Sequence, residues 1–132
     1  MNRRIFVKLA FWGVGAATLP FLHCRNSGSS IKLLYRPDFL SQICDEKMIN
    51  DLGIEYRKMY PKLDNKDKLV KQLMNNESGE DIKSTMESDE IETILENKIV
   101  NDFKQLNTVI VKGWVLSVTE AQQCALFSLT PQ

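Results

Sequence analysis

Three cysteines and a single histidine are the side chains best equipped for chemistry in this 132-residue chain. Cys24 closes an apolar run, Leu9 to Leu22, and is followed by Arg25-Asn26-Ser27-Gly28-Ser29-Ser30, a flexible polar tether by composition. A thiol at such a junction is a place where lipid can be attached. Cys44 and Cys124 admit two readings: a disulfide, if their Cα atoms come within about 7 Å in an oxidising compartment, or two buried small apolar side chains. His23 directly precedes Cys24, so cleavage between them removes the commonest general base and metal ligand from the mature chain. Two cysteines without a histidine make no metal-ligand set. The chain has no Gly-rich phosphate loop, no G-x-S-x-G and no H-E-x-x-H. Carboxylates alone remain for acid–base work, and the residue types contain no sign of an enzyme, a metal centre or a cofactor held by this chain.

Ahead of Cys24 the chain has a basic start, an apolar run and a small-residue region, the three parts of an export signal. The run is shorter than the roughly 20 apolar residues needed to span a bilayer. Its basic part, Asn2-Arg3-Arg4-Ile5-Phe6-Val7-Lys8, resembles the twin-arginine motif: a polar residue, two arginines, any residue, Phe, an apolar residue and often Lys. Gly13, Gly15, Ala16, Ala17 and Thr18 dilute the run, as in signals of that route. Arg3, Arg4, Phe6 and Lys8 would then be an address read by the twin-arginine translocase, which carries folded cargo. The other reading is a general secretory signal that happens to begin with two arginines.

Cys24 with its tether resembles the lipidation site of a bacterial lipoprotein, although Phe21-Leu22-His23 departs from the usual small residue before the cysteine. Lipid on Cys24 would supply more than one acyl chain, enough for stable anchoring. An uncleaved signal anchored by its own apolar run is the alternative. Both place the body on the periplasmic side of the cell envelope, attached to the membrane. The expected organisation is a signal over 1–23, a lipidated cysteine and tether over 24–30 and one small domain over 31–132.

Of 17 basic residues, Arg3, Arg4 and Lys8 lie in the signal, which has no acid. The mature part therefore keeps 14 basic against 17 acidic residues, a net charge of about −3. A nucleic-acid surface would need a basic excess, so nucleic acid is not an expected partner. About 109 residues remain, enough for one modest core.

The elements follow from periodicity and capping residues. Ile31 to Tyr35 is a short lead-in, and Arg36-Pro37-Asp38 reads as a helix entry before one apolar turn of Phe39, Leu40 and Ile43. Asp45 caps a longer helix in which Met48, Ile49, Leu52, Tyr56 and Met59 recur at helical steps until Pro61. Gly53 inside it predicts a neighbour packed closely over that position. A third helix, capped by Asp64 or Asn65, holds Leu69, Val70 and Leu73, and Asn75 to Asp81 reads as a polar loop. From Ser84 or Ser88, Ile91, Ile94, Leu95, Ile99, Phe103 and Leu106 outline one core-facing stripe.

Thr108 to Leu116 is too β-branched to continue that helix, and Lys112-Gly113 suits a tight turn. Ser117-Val118-Thr119-Glu120 is a capping box for a last helix with Ala121, Cys124, Ala125, Leu126, Phe127 and Leu129, ended by Pro131. The expected fold is all-α: a small helical domain of about four to five helices with one short extended segment before the last. Trp114 reads either as a core anchor or as a partner-facing hot spot.

Asp102-Phe103, Val109 to Leu116, Ser117 to Ala121 and Cys124-Ala125-Leu126, with Asp51-Leu52-Gly53, Tyr56, Pro61 and the signal, are similar to small twin-arginine-exported proteins associated with flavin-dependent dehydrogenases. These are the non-catalytic, gluconate 2-dehydrogenase subunit 3-like subunits of enzymes acting on sugars and polyols. The resemblance implies a large flavoprotein dehydrogenase subunit as partner, with FAD in that partner and none in this chain. It also implies that the signal serves a complex assembled before export, because a flavin is inserted in the cytoplasm and its protein must fold there. Trp114, Leu116 and Glu120 take interface roles by the same resemblance, and no catalytic role transfers. The alternative is a free-standing envelope lipoprotein with a ligand-binding or structural role.

Overall fold

The computed structural model describes residues 28–75, 81–83 and 85–130. Among the described residues there are six helices and one β-hairpin: α1 (Gly28–Tyr35), α2 (Asp38–Ile43), α3 (Glu46–Met59), a 3₁₀ turn (Pro61–Leu63), α4 (Lys66–Met74), α5 (Ser88–Lys104), β1 (Thr108–Val111), β2 (Trp114–Ser117) and α6 (Val118–Ser128). The chain is mainly helical, as its periodicity predicts. The segment read as a lead-in is itself helical, and α1 begins inside the compositional tether, at Gly28. Arg3, Arg4, Phe6, Lys8 and Cys24, the Asn76 to Glu80 part of the polar loop, and Pro131 lie outside the described residues.

Helix α6 is the axis of the fold and packs against α1, α3, α4, α5 and both strands. Its N-terminus is the capping box its sequence predicts: the Glu120 amide donates to Ser117 Oγ at 3.0 Å, and the Ser117 amide donates to Glu120 Oε2 at 2.9 Å. Thr119 to Phe127 are buried without interruption. The closest partner is α3, opened by Asp45, whose carboxylate accepts from the Met48 amide at 2.8 Å. A Cβ on Gly53 would land on the Cys124 carbonyl and within 2.9 Å of the Ala125 nitrogen, so the two backbones touch there. Arg57 ties the far end of the pair, donating to Asp64 Oδ1 at 2.6 Å and to Ser128 Oγ at 3.2 Å.

Helix α4 is capped by Asn65, which accepts from the amides of Asp67 and Lys68. The Lys98 ammonium, reaching over from α5, donates to the carbonyls of Gln72, Leu73 and Asn75 at 2.7–3.2 Å and so closes the C-terminus of α4 with a cation.

Burial follows the apolar pattern only in part. Leu40 alone of the α2 turn is buried, whereas Phe39 is 64% and Ile43 57% exposed. On α5 the stripe is core only as far as Ile91, Ile94 and Leu95: Ile99 is half-buried, Phe103 is 43% exposed, and Leu106 lies beyond the helix at 84%. Helix α5 starts at Ser88, one of the two starts its pattern allows, and its cap residue is Glu87, whose amide donates to Glu90 Oε2 at 3.2 Å.

Candidate partner interface

The hairpin forms because Val109, Val111 and Leu116 alternate with Ile110 and Val115, and because Lys112 and Gly113 both accept positive φ, +49° and +83°, in the turn. A two-residue turn of that hand follows the twist of the strands. Its inner face presents Val109, Val111 and Leu116 to the core, with Trp114 paired to Val111. The outer face carries the cross-strand pair Ile110 and Val115, 63% and 59% exposed.

The sequence-predicted interface residues fall into two groups. Leu116 is 2% exposed and Glu120 4%, the one in the core and the other closing its own helix, so neither offers a surface to a partner in this conformation. Trp114 is half-buried and packed against the core cluster. Four other apolar side chains of this stretch are exposed, Phe103, Leu106, Ile110 and Val115, and did not stand out in sequence because each fits a plausible core pattern.

Leu106 is the most informative of these. Helix α5 ends in a Schellman motif, with the Leu106 amide bonding the Phe103 carbonyl at 3.3 Å and the Asn107 amide bonding the Asp102 carbonyl at 2.8 Å. That motif puts Leu106 at φ +58°, a position normally given to glycine. A leucine there costs roughly 1–2 kcal/mol in backbone conformation, while its side chain stands in solvent.

Asp102 fixes this end of α5 to the start of α6. Its Oδ2 accepts from the Thr119 amide at 2.9 Å and from the Thr119 hydroxyl at 2.6 Å, and its Oδ1 accepts from the Asn107 side chain at 3.0 Å. The Val118 amide bonds the Asn107 carbonyl at 3.2 Å, which closes the connection around the hairpin. The carboxylate lies at a helix N-terminus, where the dipole favours an anion.

Among the described residues three concavities lie elsewhere, one of them a wide hollow of about 780 Å³ beside Met86, Glu90 and Ile94. A polar cleft of about 320 Å³ is lined by Gln72, Lys98, Asn101, Gln105 and Gln122 among others. A groove of about 200 Å³ lies between α2, α5 and α6, with Leu33, Phe39, Leu95, Ile99 and Gln123 in its wall. Gln123 is 2% exposed; its amide nitrogen faces the Leu33 carbonyl at 3.4 Å, and its Oε1 has no hydrogen-bond partner among the described residues. An unpaired buried acceptor costs about 1–3 kcal/mol.

Cys44 and Cys124 are both free thiols. Burial, with the Glu120 carboxylate adding to it, pushes Cys124 up to about 12, so it stays protonated and acts as a small apolar core residue. Cys44 is half-buried. Among the described residues no group of three or more His, Cys, Asp or Glu side chains could hold a metal ion, and no helix is long and apolar enough to cross a membrane. In the comparisons with known proteins no family model, no curated protein and no solved structure matches the chain.

Proposed function

We propose that this chain is the non-catalytic small subunit and export escort of a periplasmic FAD-dependent sugar or polyol dehydrogenase. Arg3 and Arg4 address the complex to the twin-arginine translocase, and lipid on Cys24 holds it at the membrane. The observation that carries the reading is the apolar outer face of the hairpin. Ile110 and Val115 lie side by side in solvent, with Leu106 displayed nearby in the chain at a conformational cost. Exposed apolar groups maintained in this way suit a surface covered by another protein. FAD belongs to the partner, and Trp114 contributes the half-exposed aromatic typical of an interface anchor.

The test is a pull-down from detergent-solubilised membranes with a C-terminal tag, comparing the native chain, an Arg3→Lys/Arg4→Lys version and Val115→Glu. The expected result is a large flavin-containing protein that co-purifies with the native chain. The double lysine strands it in the cytoplasm, and Val115→Glu weakens its capture about tenfold without loss of fold. If the native chain reaches the envelope and comes down alone, the escort reading fails. The second reading, a free-standing envelope lipoprotein that binds a small ligand, is favoured by the 320 Å³ polar cleft and would then replace it.

A further inference from the structure

The wall of the 320 Å³ polar cleft is made mainly of carboxamides. Asn and Gln are 15 of the chain's 132 residues, and six of them meet here: Gln72 and Asn75 at the end of α4, Asn101 and Gln105 at the end of α5, Asn107 in the link to the hairpin, and Gln122 on α6. The 780 Å³ hollow has no carboxamide in its wall. Gln122 is buried and bonds the Tyr56 hydroxyl, whereas the other five are exposed and within reach of a ligand. The Gln105 amide group meets Asn101 Oδ1 at 3.4 Å, a long contact that a ligand hydroxyl can displace.

Charge and lining narrow the ligand. Lys98 and Asp102 are the two charged residues of the wall. The Lys98 ammonium is held by three carbonyls, and the Asp102 carboxylate by Thr119 and Asn107. Neither is open to a ligand of opposite charge. Val118 is the one apolar residue of the wall, and no aromatic residue lines it, so a flat ring face or an acyl chain has no seat. What the wall offers is neutral groups that each donate and accept, and a hydroxyl is the ligand group that does the same. At about 30 Å³ per water molecule the cleft has the volume of roughly ten waters, room for an open chain of about six carbons.

We propose that this cleft binds a neutral open-chain polyol of about six carbons, its hydroxyls bonding the carboxamides of Gln72, Asn101, Gln105 and Asn107. The site is built by this chain alone. It supplies a ligand class to the lipoprotein reading without depending on it, and it stands whether or not a partner covers the hairpin.

Three probes separate the contributions: sorbitol, gluconate, which turns one end of the same carbon chain into a carboxylate, and hexanediol, which keeps only the two end hydroxyls. Each is titrated into the full chain while the side-chain amide signals of Asn and Gln are followed by NMR. Sorbitol is expected to saturate in the millimolar range, with its shifts concentrated on the carboxamides of the cleft and the other two probes about tenfold weaker. Gln72→Leu and Gln105→Leu, both at exposed positions, should each weaken sorbitol about five- to tenfold. Gln42→Leu, an exposed carboxamide beside the groove at α2, is the control and should change nothing. The proposal is overturned if the sorbitol shifts grow without saturating, the behaviour of a cosolvent only. It is also overturned if gluconate or hexanediol binds as tightly as sorbitol, or if the two cleft variants bind sorbitol as the control does. Capture of a flavoprotein plays no part in this titration, so failure of the subunit reading and failure of this one are told apart.

Discussion

Helices α5 and α6 both open with a reciprocal capping bond and both carry apolar residues at helical spacing, yet they meet the solvent in opposite ways. Helix α6 buries nine consecutive residues, Thr119 to Phe127, with Glu120, Gln122 and Gln123 among them. Helix α5, half as long again, buries only Ile91, Ile94, Leu95 and Asp102. Position in the bundle accounts for the difference. A helix enclosed by four others and a hairpin has no outer face, so its polar residues become structural: Glu120 closes the cap, Gln122 bonds the Tyr56 hydroxyl, and Gln123 reaches Leu33. A peripheral helix needs only one face in the core, and α5 turns even that face outward in its last turns. The lesson is that burial of a polar residue depends on how many elements surround its helix, more than on its local pattern.

The largest effect should come from the contact at the centre. Gly53→Ala pushes a methyl group into the backbone of α6, where no side chain can swing aside, and is expected to cost about 2–4 kcal/mol in urea unfolding. That outweighs the gain of roughly 1 kcal/mol in helix propensity. Gly113→Ala is the control, since a Cβ there meets nothing within 4 Å and only the positive φ resists, for about 1 kcal/mol. Equal costs at the two glycines would break the picture of α6 as the tightly enclosed axis.

Next is the point where the two helices are tied. Asp102→Ala leaves the Thr119 amide and hydroxyl and the Asn107 amide group without their acceptor, and about 3 kcal/mol should be lost. Combined with Thr119→Val, the double variant should lose about 1–2 kcal/mol less than the two single losses together. If Asp102→Ala behaves like the exposed Asp89→Ala, with a change of no more than about 0.5 kcal/mol, then the C-terminal half of α5 is not anchored to α6 by this carboxylate.

The paired caps test the comparison directly. Glu120→Ala breaks a buried reciprocal bond and should cost about 1–2 kcal/mol, whereas Glu90→Ala breaks its exposed counterpart for about 0.5 kcal/mol. Thermal melts of the two variants measured side by side settle the order. These ends also mark what the sequence makes legible. Ser117-x-x-Glu120, Asp45, Asn65 and the Lys112-Gly113 turn each act through neighbours a few residues away, so type and spacing alone place them. Gly53 was legible too, since a glycine inside a strong helix pattern predicts a close neighbour, though not which one.

What was not legible depends on distant partners. A mid-helix aspartate reads as solvated, and only the fold brings Thr119 to Asp102. The stripe through Phe103 and Leu106 reads as core because periodicity cannot tell where a helix leaves the bundle. Leu116 and Glu120 read as interface residues on a resemblance, and the enclosure of α6 buries them. Leu106→Gly sharpens this point with a smaller effect of opposite sign. Relief of the positive φ, less the entropy glycine loses on folding, should stabilise the chain by about 0.5–1 kcal/mol. A loss of stability would mean that the leucine side chain packs on its own chain and is no display to a partner.

The smallest expected effect lies on the solvent side of α5. Glu92 hydrogen-bonds Asp38 across the rim of the groove, and that contact with the Asp38 charge holds its carboxyl above the ordinary carboxylate range. Once ionised, the Glu92 carboxyl loses that hydrogen bond and is repelled by the Asp38 charge. As the pH falls through the raised value the folded chain takes up a proton before the unfolded chain does, so this pair's contribution to stability rises toward acid and is lost as the pH climbs back. Glu92→Gln removes the repulsion while keeping a donor for Asp38. It should therefore raise the melting temperature slightly at pH 7 and have no effect once the pH drops below the normal range for glutamate. Buried Glu120 offers the contrast: its carboxylate accepts from a backbone amide, so Glu120→Gln should destabilise the chain at pH 7, opposite in sign to the change at Glu92. The same sign for both would mean that the enclosure of α6, rather than its capping bond, governs how a carboxylate on these helices contributes.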